Sequence, residues 1–431
     1  MAEIDKAINV EEQLDLQVRN RTKGVDVEVD VTEENPEMDS FEQMEDGSIS
    51  FGSPLPPVDD TDFSANLADV MDDSDLNSVK NDLMGNVEDD KESRSDWEKT
   101  YREGLEYLGM KYEERSQPFE GASGVMHPLL AESVTQFQAQ AYNELLPSQG
   151  PVKTQVLGVT TPDTEGQASR VQEFMNYQLM QVMKEYDPET DQMLFYLPLS
   201  GSAFRKVYYD QNLGRAVSKF IPSEDLIVPY AATDLHSATR ITHVINMSMN
   251  DIRKSQQTGF YSDINIDSGN MMAEDVDGVQ EEIDELQGVS PSYKDDDMCK
   301  VHEIHTELDM PGFEDLNAEG EETGIKLPYI VTIGNDKILS IRRNYKENDP
   351  LKQRINYFVH YKFLPGLGFY GFGLTHMIGG LSKSATSILR QLIDAGTLSN
   401  LPAGFKARGI RIRNDDQPLQ PGEFRDMDAP G

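Results

Sequence analysis

The chain has 431 residues, 37% of them hydrophobic, and a formal net charge of −39 at pH 7. This length gives room for two or three domains with real hydrophobic cores. Residues 1–100 contribute −21 (29 acidic, 8 basic) and residues 251–330 contribute −16 (21 acidic, 5 basic), so the remainder is nearly neutral. An acidic field repels phosphate, which excludes a general nucleic-acid binder that works by counterion release.

Cys299 is the only cysteine, so no intramolecular disulfide can form and a reducing compartment is expected. The first residues, MAEIDKAINVEEQ, lack the basic and then apolar pattern of a signal peptide. No apolar run approaches the ~18 residues of a membrane-spanning helix. We therefore expect a soluble protein with no membrane partner.

Residues 1–94 are rich in Asp, Glu, Ser and Pro and poor in aromatic side chains. Such a segment buries too little apolar surface to offset its ordering entropy, which predicts an acidic, mostly disordered arm. Order is predicted to begin at Ser95, because Ser95-Asp96-Trp97-Glu98 has the pattern of a capping box that opens a helix.

Residues 128–200 have the periodicity of three helices. One runs from about Pro128 to Leu146, the next starts at Pro162 and ends before Pro188, and the last spans about 191–199. The intervening residues 151–160 are typical of a strand. The helix that starts at Pro162 is predicted to point its apolar residues inward, namely Val171, Phe174, Met175, Leu179, Val182, Met183 and Tyr186.

The next part of the chain is rich in predicted strands. A hairpin is predicted at 203–221, and further strands at 225–246, 301–308, 327–343 and 355–363. Between them, residues 262–298 are acidic and punctuated by Gly and Ser, which indicates a surface insertion or mobile loop. The fold class is therefore predicted to be α+β.

The stretch from 357 to 400 is the most informative. An aromatic strand ends at Pro365, and the turn after it contains Gly366, Gly368, Gly371 and Gly373. A helix is predicted from Thr375 to Ala395, with apolar residues at alternating spacings of three and four, as in a coiled-coil seam. These residues are Ile378, Leu381, Ala385, Ile388, Leu392 and Ala395. Either the seam packs against helices of other subunits, or the helix is buried within a monomer.

Four segments together carry a resemblance to a known family. They are 118–147 (PFEGASGVMHPLLAESVTQFQAQAYNELLP), 222–243 (PSEDLIVPYAATDLHSATRITH), 327–350 (LPYIVTI…ILSIRRNYKENDP) and 361–422. In this order they resemble the portal, or head-to-tail connector, proteins of tailed double-stranded-DNA bacteriophages, most closely the large portals of short-tailed phages. The resemblance covers about residues 95–431.

The resemblance implies an assignment of domains. Residues 95–365 would form a mixed helical and β wing, residues 366–400 a glycine hinge and first stem helix, and residues 401–431 the start of a β clip. The family pattern would place a second stem helix and a crown next, and the sequence as given stops before them. A ring of about twelve subunits is implied, with the seam packed between neighbouring stems.

The resemblance also implies a function without catalysis. The ring would be the conduit for genome packaging and ejection, located at the portal vertex of the virion and in the host cytoplasm during assembly. Its implied partners are the terminase large subunit, a tail adaptor or head-completion protein, and capsid and scaffolding proteins. Double-stranded DNA would pass through without sequence-specific binding.

A concentrated basic patch lies near the end of the sequence. It consists of Lys406, Arg408, Arg411 and Arg413. One interpretation is a solvated strand edge that resists unwanted pairing. The other, implied by the resemblance, is a clip surface for the packaging motor or tail adaptor.

Two alternatives and several weaker signals remain. Gly366-x-Gly368-x-x-Gly371 matches a dinucleotide fingerprint and leaves a nucleotide-binding enzyme open, although Pro365 and the position of Asp394 oppose it. A monomeric scaffold fragment is the second alternative. No catalytic, cofactor or metal site is predicted.

Two groups of polar residues fit structural roles better than chemical ones. Cys299, His302 and His305 suggest a metal cluster, but residues 302 and 305 of one strand point to opposite faces. Asp234 and His236 fit a turn or a strand edge, and no catalytic motif surrounds them.

Overall fold

The computed structural model describes residues 42–43, 49–50, 62–109, 115–117, 119, 122–210, 213–229, 231–266, 278–288, 298–316, 321–366, 368–400, 411–412 and 427–428. The chain divides into two units, residues 1–60 and residues 61–431. In the first unit, strands β1 (Glu42–Gln43) and β2 (Ile49–Ser50) pair antiparallel. All other described elements belong to the second unit.

The second unit combines helices with antiparallel sheets, so the predicted α+β class is confirmed. Its described helices are α1 (Asp73–Ser93), α2 (Ser95–Glu106), α3 (Leu129–Leu145), α4 (Pro162–Tyr177), α5 (Tyr186–Ser200), α6 (Met249–Gln257), α7 (Gly278–Gln287) and α8 (Leu374–Asn400). Its described strands are β3 (Ser202–Asp210), β4 (Arg215–Ile221), β5 (Leu226–Ile227), β6 (Arg240–Ser248), β7 (Met298–Leu308), β8 (Leu327–Gly334), β9 (Lys337–Arg343), β10 (Phe358–Lys362), β11 (Arg411–Ile412) and β12 (Met427–Asp428).

Two sheets form the β part of this unit. One is a five-stranded antiparallel meander in the order β5-β6-β7-β8-β9, and the other has the order β10-β3-β4. β11 and β12 form a separate pair. The hairpin predicted at 203–221 and the strands predicted at 301–308 and 327–343 are confirmed. The run of β-branched residues from Ile330 to Ile333 explains why β8 could be predicted, and Val331 and Ile333 in this run are buried.

The predicted disordered arm extends too far along the chain. Residues 62–94 of the predicted arm have a described structure, and α1 begins at Asp73, about twenty residues before the predicted start at Ser95. Leu83 and Val87 of α1 are buried in one core with Tyr329 of the five-stranded sheet. The apolar face of α1 was not predicted, because the segment is acidic on average. Its residues are Leu76, Val79, Leu83 and Val87.

The predicted capping box at Ser95 is wrong. α2 follows α1 directly, its N-cap is Arg94, and no side-chain cap bond forms there. The buried Arg94 guanidinium instead donates to the carbonyl oxygens of Ser223 (3.1 Å) and Leu226 (2.9 Å). Arg94 thus joins the helical part of the unit to the start of the five-stranded sheet.

The acidic stretch 262–298 contains more structure than a surface insertion. α7 lies within it, and Val279 and Ile283 are buried in a helical core with Tyr101, Leu105 and Leu130. A one-turn spacing places Val279 and Ile283 on the same helical face, so they pack although most of their neighbours are acidic. Residues 267–277 and 289–297 lie outside the described residues.

α4 begins as predicted but orients differently. Thr161 caps it in a capping box with Thr164, and Pro162 occupies the first turn. None of its residues is buried, and Val171, Phe174 and Met175 of the predicted inward face are exposed, so the prediction is wrong for these three. The other predicted residues, Leu179, Val182, Met183 and Tyr186, lie beyond the end of α4 and are half-buried. The preceding segment 151–160 is extended but contains no strand, because its backbone bonds to α4 side chains instead of to a neighbouring strand.

Candidate interaction surface

Glycines determine where the long helix α8 begins. Gly201 ends α5 with a φ of +87°, and its backbone crosses that of Gly371 and Gly373. A Cβ at Gly373 would lie less than 3 Å from the carbonyl oxygen of Leu199, and one at Gly371 would overlap that of Gly201. Neither Gly371 nor Gly373 has a positive φ. Close backbone approach, and not a left-handed backbone conformation, therefore requires glycine at these two positions.

The backbone N–H groups of this turn bond within the chain. Gly371 donates to Ser202 Oγ (2.8 Å), and Gly373 donates to His376 Nδ1 (3.2 Å). A dinucleotide site needs such N–H groups, and free space above the glycines, for a pyrophosphate. A Cβ at Gly366 would also meet the carbonyl oxygen of Tyr370, so chain atoms occupy the space there, whereas the space at Gly368 is open. This geometry opposes the nucleotide-binding alternative.

One face of α8 is buried although it is polar. Its buried residues are Thr375, Gly379, Ser382, Thr386 and Asp394. Non-polar side chains normally occupy the buried face of a helix, so this helix is inverted. We call these residues, with Arg390, the anchoring face.

Hydrogen bonds hold the anchoring face to the extended segment 122–128. Ser123 N–H donates to Asp394 Oδ1 (2.7 Å), and His127 N–H donates to Thr386 Oγ1 (3.0 Å). These bonds satisfy backbone groups that have no strand partner, which makes a buried polar face favourable here.

Two further bonds extend the same attachment along the helix. Arg390 Nε donates to the Val125 carbonyl oxygen (2.7 Å), and Thr375 Oγ1 donates to the Leu199 carbonyl oxygen (2.9 Å). Because Thr375 and Arg390 lie about four turns apart, the attachment fixes the rotation of α8 about its own axis.

The opposite face of α8 is apolar and exposed. Leu381, Ile388 and Leu392 are 63%, 66% and 69% exposed, and Met377 is 55% exposed. With Ala385 and Ala395, these residues form a line along the helix that we call the outward stripe. The remaining residue of the predicted seam, Ile378, is partly buried against the helical core that contains Tyr101 and Leu130.

The apolar periodicity of α8 predicted the outward stripe but not the anchoring face. Ser and Thr at helical spacing on α8 were visible in the sequence, yet their partner segment 122–128 lies about 260 residues earlier. No local pattern links two segments so far apart. Met377 was also not predicted as part of the stripe. It lies one turn before Leu381, but the predicted seam began at the next residue, Ile378.

The predicted basic patch lies almost entirely outside the described residues. This is true of Lys406, Arg408 and Arg413. Arg411 begins β11, where its backbone pairs with Asp428 of β12. The patch therefore stays a prediction.

A buried group of charged residues joins the two sheets. Lys206 of β3 donates to Glu303 Oε2 of β7 at 2.7 Å, and His305 Nε2 lies 2.7 Å from Glu303 Oε1. Burial acts to raise the pKa of Glu303, but the Lys206 ammonium and the His305 hydrogen bond together hold it well below its ordinary value. The carboxylate thus stays ionised, as a structural ion pair requires.

The histidines of β7 do not converge. His305 points toward Glu303, and His302, three residues away on a regular strand, lies on the opposite face. Within the part of the chain that the structure describes, no group of three or more His, Cys, Asp or Glu residues is arranged to hold a metal ion. Asp234 accepts from the Ser237 N–H (2.7 Å), as expected for a turn residue.

Comparisons with models of protein families and with curated proteins found no match to the chain. The site must therefore be interpreted from its own geometry and from the sequence resemblance. Among the described helices, none combines the length and the apolar character needed to cross a bilayer.

Proposed function

We propose that this protein is a structural subunit of a phage portal ring, assembled through the outward stripe of α8. The single observation that carries the proposal is the inverted α8, whose polar face bonds to its own chain while its apolar face is exposed. The sequence resemblance supplies the class of assembly. α8 would be the first stem helix of that assembly.

The energetics favour a partner on the outward stripe. Four of its side chains, on Met377, Leu381, Ile388 and Leu392, are more than half exposed. Burying such side chains would contribute on the order of 4–8 kcal/mol for the four together. A contiguous apolar patch of this kind is typical of an interaction site. Because the anchoring face holds the helix, the stripe cannot turn inward to gain this energy within its own subunit.

Copies of the same chain are the partners that fit best. The alternation of three and four residues in the stripe suits packing against similar helices. A contact that repeats by rotation closes into a ring, of about twelve subunits by the resemblance. The further proposed partners are the terminase large subunit, a tail adaptor and the capsid and scaffolding proteins, and the proposed location is the virion.

The role of the ring would be passive. We propose a conduit through which double-stranded DNA moves during packaging and ejection, driven by a separate ATPase. The chain is strongly acidic, with a net charge of −39, which disfavours tight contacts to phosphates. A monomeric scaffold fragment is the alternative that the geometry leaves open.

The oligomeric state of a stripe variant tests the proposal. L381E/I388E places two charges in the stripe without touching the anchoring face, so we expect it to stay folded and monomeric in mass photometry while the wild type forms large rings. The matched control is L213E/L351E, which makes the same change at two exposed leucines outside α8. Loss of assembly in the control as well, or assembly of the stripe variant, would contradict the proposal.

A further inference from the structure

A second unpartnered helical face lies on α4. The large apolar residues of α4 are exposed. Two further exposed apolar residues lie close together in the segment before the helix. Together these residues are Leu157, Val159, Val171, Phe174 and Met175. Leu157 is 89% exposed and Val159 is 83% exposed. We call these five residues the α4 patch.

α4 is built like α8, although the two helices are unrelated in sequence. Its polar side holds an extended segment of its own chain: Asn176 Oδ1 accepts from the Val152 N–H (2.9 Å), and Thr154 Oγ1 donates to the Ala168 carbonyl oxygen (2.9 Å). The polar side is therefore occupied, and the apolar side faces outward.

The helix also lacks the burial that normally stabilises helices of its length. α4 has 16 residues and none of them is buried. Isolated helices of about this length are marginal in water, even with good caps. The capping box at Thr161 specifies where the helix starts, but no described contact within the subunit buries its apolar side.

We propose that the α4 patch is a two-fold interface in which α4 packs antiparallel against α4 of a second copy of this chain. The charges beside the patch select this occupant. Asp163 and Arg170 are both exposed, and they lie seven residues, or about two turns, apart on one edge of the helix. In an antiparallel pair centred near Gln167, Asp163 of each copy lies beside Arg170 of the other.

Other charges of α4 do not disturb this match. Glu165 and Glu173 lie on the side away from the patch, by helical geometry. A strongly acidic or basic foreign partner would meet one attractive and one repulsive charge at this edge, whereas an inverted copy meets two attractive ones.

The size of the patch also suits a second copy. Its five side chains expose on the order of 500 Å² of apolar surface. A stable interface buries ~800 Å² per partner. The patch alone supplies more than half of that area, and the polar edge beside it would supply the remainder. Val171 and Phe174 of one copy would pack on the first turn of the other and on its Val159.

This contact differs from the one proposed for α8. A two-fold contact pairs subunits, and combined with a cyclic contact it would join two rings. The inference goes beyond the proposed function and does not depend on it, because it concerns another helix and another symmetry.

Cysteine cross-linking of the full chain tests the inference. The one natural cysteine, Cys299, is buried, so an added exposed thiol can be observed alone. Q167C places the thiol beside the proposed axis, and E173C places it on the far side of the same helix. Held together, the two thiols reach a millimolar effective concentration, so at micromolar protein we expect Q167C to form the disulfide dimer roughly 100-fold faster than E173C. Equal rates would overturn the inference.

Charge exchange tests the antiparallel arrangement. In the Q167C background, D163R and R170D should each slow cross-linking, and D163R/R170D should restore it, because the swapped charges again lie opposite each other. Failure of the double exchange to restore the rate, in protein that remains folded by circular dichroism, would overturn the arrangement.

Repeating the cross-linking of Q167C in the L381E/I388E background separates the two interfaces. The α4 cross-link should persist when the α8 stripe is disabled, and loss of the cross-link there would overturn the independence of the two contacts.

Discussion

At the scale of single residues, the crossing of α5 and α8 depends on having no side chain at Gly373. The position for a Cβ is already occupied by the carbonyl oxygens of Leu199 and Pro198. Since α8 starts one residue later, any shift needed to admit a methyl group also shifts the helix. The glycines of this turn therefore act on the orientation of the outward stripe.

Gly373→Ala should lower the free energy of unfolding by about 1–3 kcal/mol, as overpacking does elsewhere. Gly368→Ala is the matched control, because no atom lies within 4 Å of the position for its Cβ. Chemical denaturation of both variants checks this prediction. Equal stability of the two would show that the crossing tolerates a side chain.

Buried histidines make the stability depend on pH. Burial lowers the pKa of His243 and His360 to about 3 and that of His302 to about 4. An unfolded histidine titrates near ~6.5, so the unfolded chain takes up protons first as the pH falls. The stability is fully present above about pH 6.5 and is lost progressively toward pH 4.

His360→Phe should reduce this pH dependence. His360 packs against Phe204 and Phe369 in a cluster of three rings, with ring centroids 4.4 and 4.7 Å away, so a phenyl ring can occupy its place. Between pH 7.5 and pH 5, the variant should lose less unfolding free energy than the wild type, by on the order of 1–2 kcal/mol. Thermal unfolding at both pH values measures the difference. Identical pH profiles would mean that His360 is not the group that titrates.

At the scale of elements, α8 illustrates how a helix can be oriented by its polar side. The apolar stripe alone would favour rotation toward the core, and bonds to segment 122–128 oppose it. Both sides are needed for the account. The stripe supplies the surface, and the anchoring face directs it outward.

Thr386→Val should destabilise the protein without changing the shape of the side chain. It removes the acceptor of the His127 N–H and leaves that part-buried group unpaired, at a cost of about 1–3 kcal/mol. Thr397→Val, on the same helix but exposed, should change the stability by less than about 0.5 kcal/mol. The denaturant midpoints of the two variants test this prediction. An unchanged midpoint for Thr386→Val would show that the anchoring face does not stabilise the position of α8.

The elements also show what the sequence could predict. The β-branched residues of β7, β8 and β9 and the seam of α8 were visible, because each depends on local composition or local periodicity. The exposure of the apolar face of α4 could not be predicted, because periodicity identifies an apolar face but not what covers it. α1 and α7 were missed for another reason. Their acidic composition outweighed a few apolar residues, such as Leu83 and Ile283, that become buried only through distant partners.

At the scale of the whole molecule, charge governs the proposed relation to DNA. With a net charge of −39, the protein should have negligible affinity for duplex DNA at physiological salt. Fluorescence anisotropy with a short labelled duplex, at ~50 mM and ~150 mM salt, measures this. Tight binding at the higher salt concentration would contradict a passive conduit.

The most direct test of the account is electron microscopy of the purified wild-type chain. We predict closed rings in which α8 of each subunit packs against α8 of its neighbours, with Leu381, Ile388 and Leu392 buried between subunits. Monomers at every accessible concentration, or rings in which these three side chains remain in solvent, would contradict it.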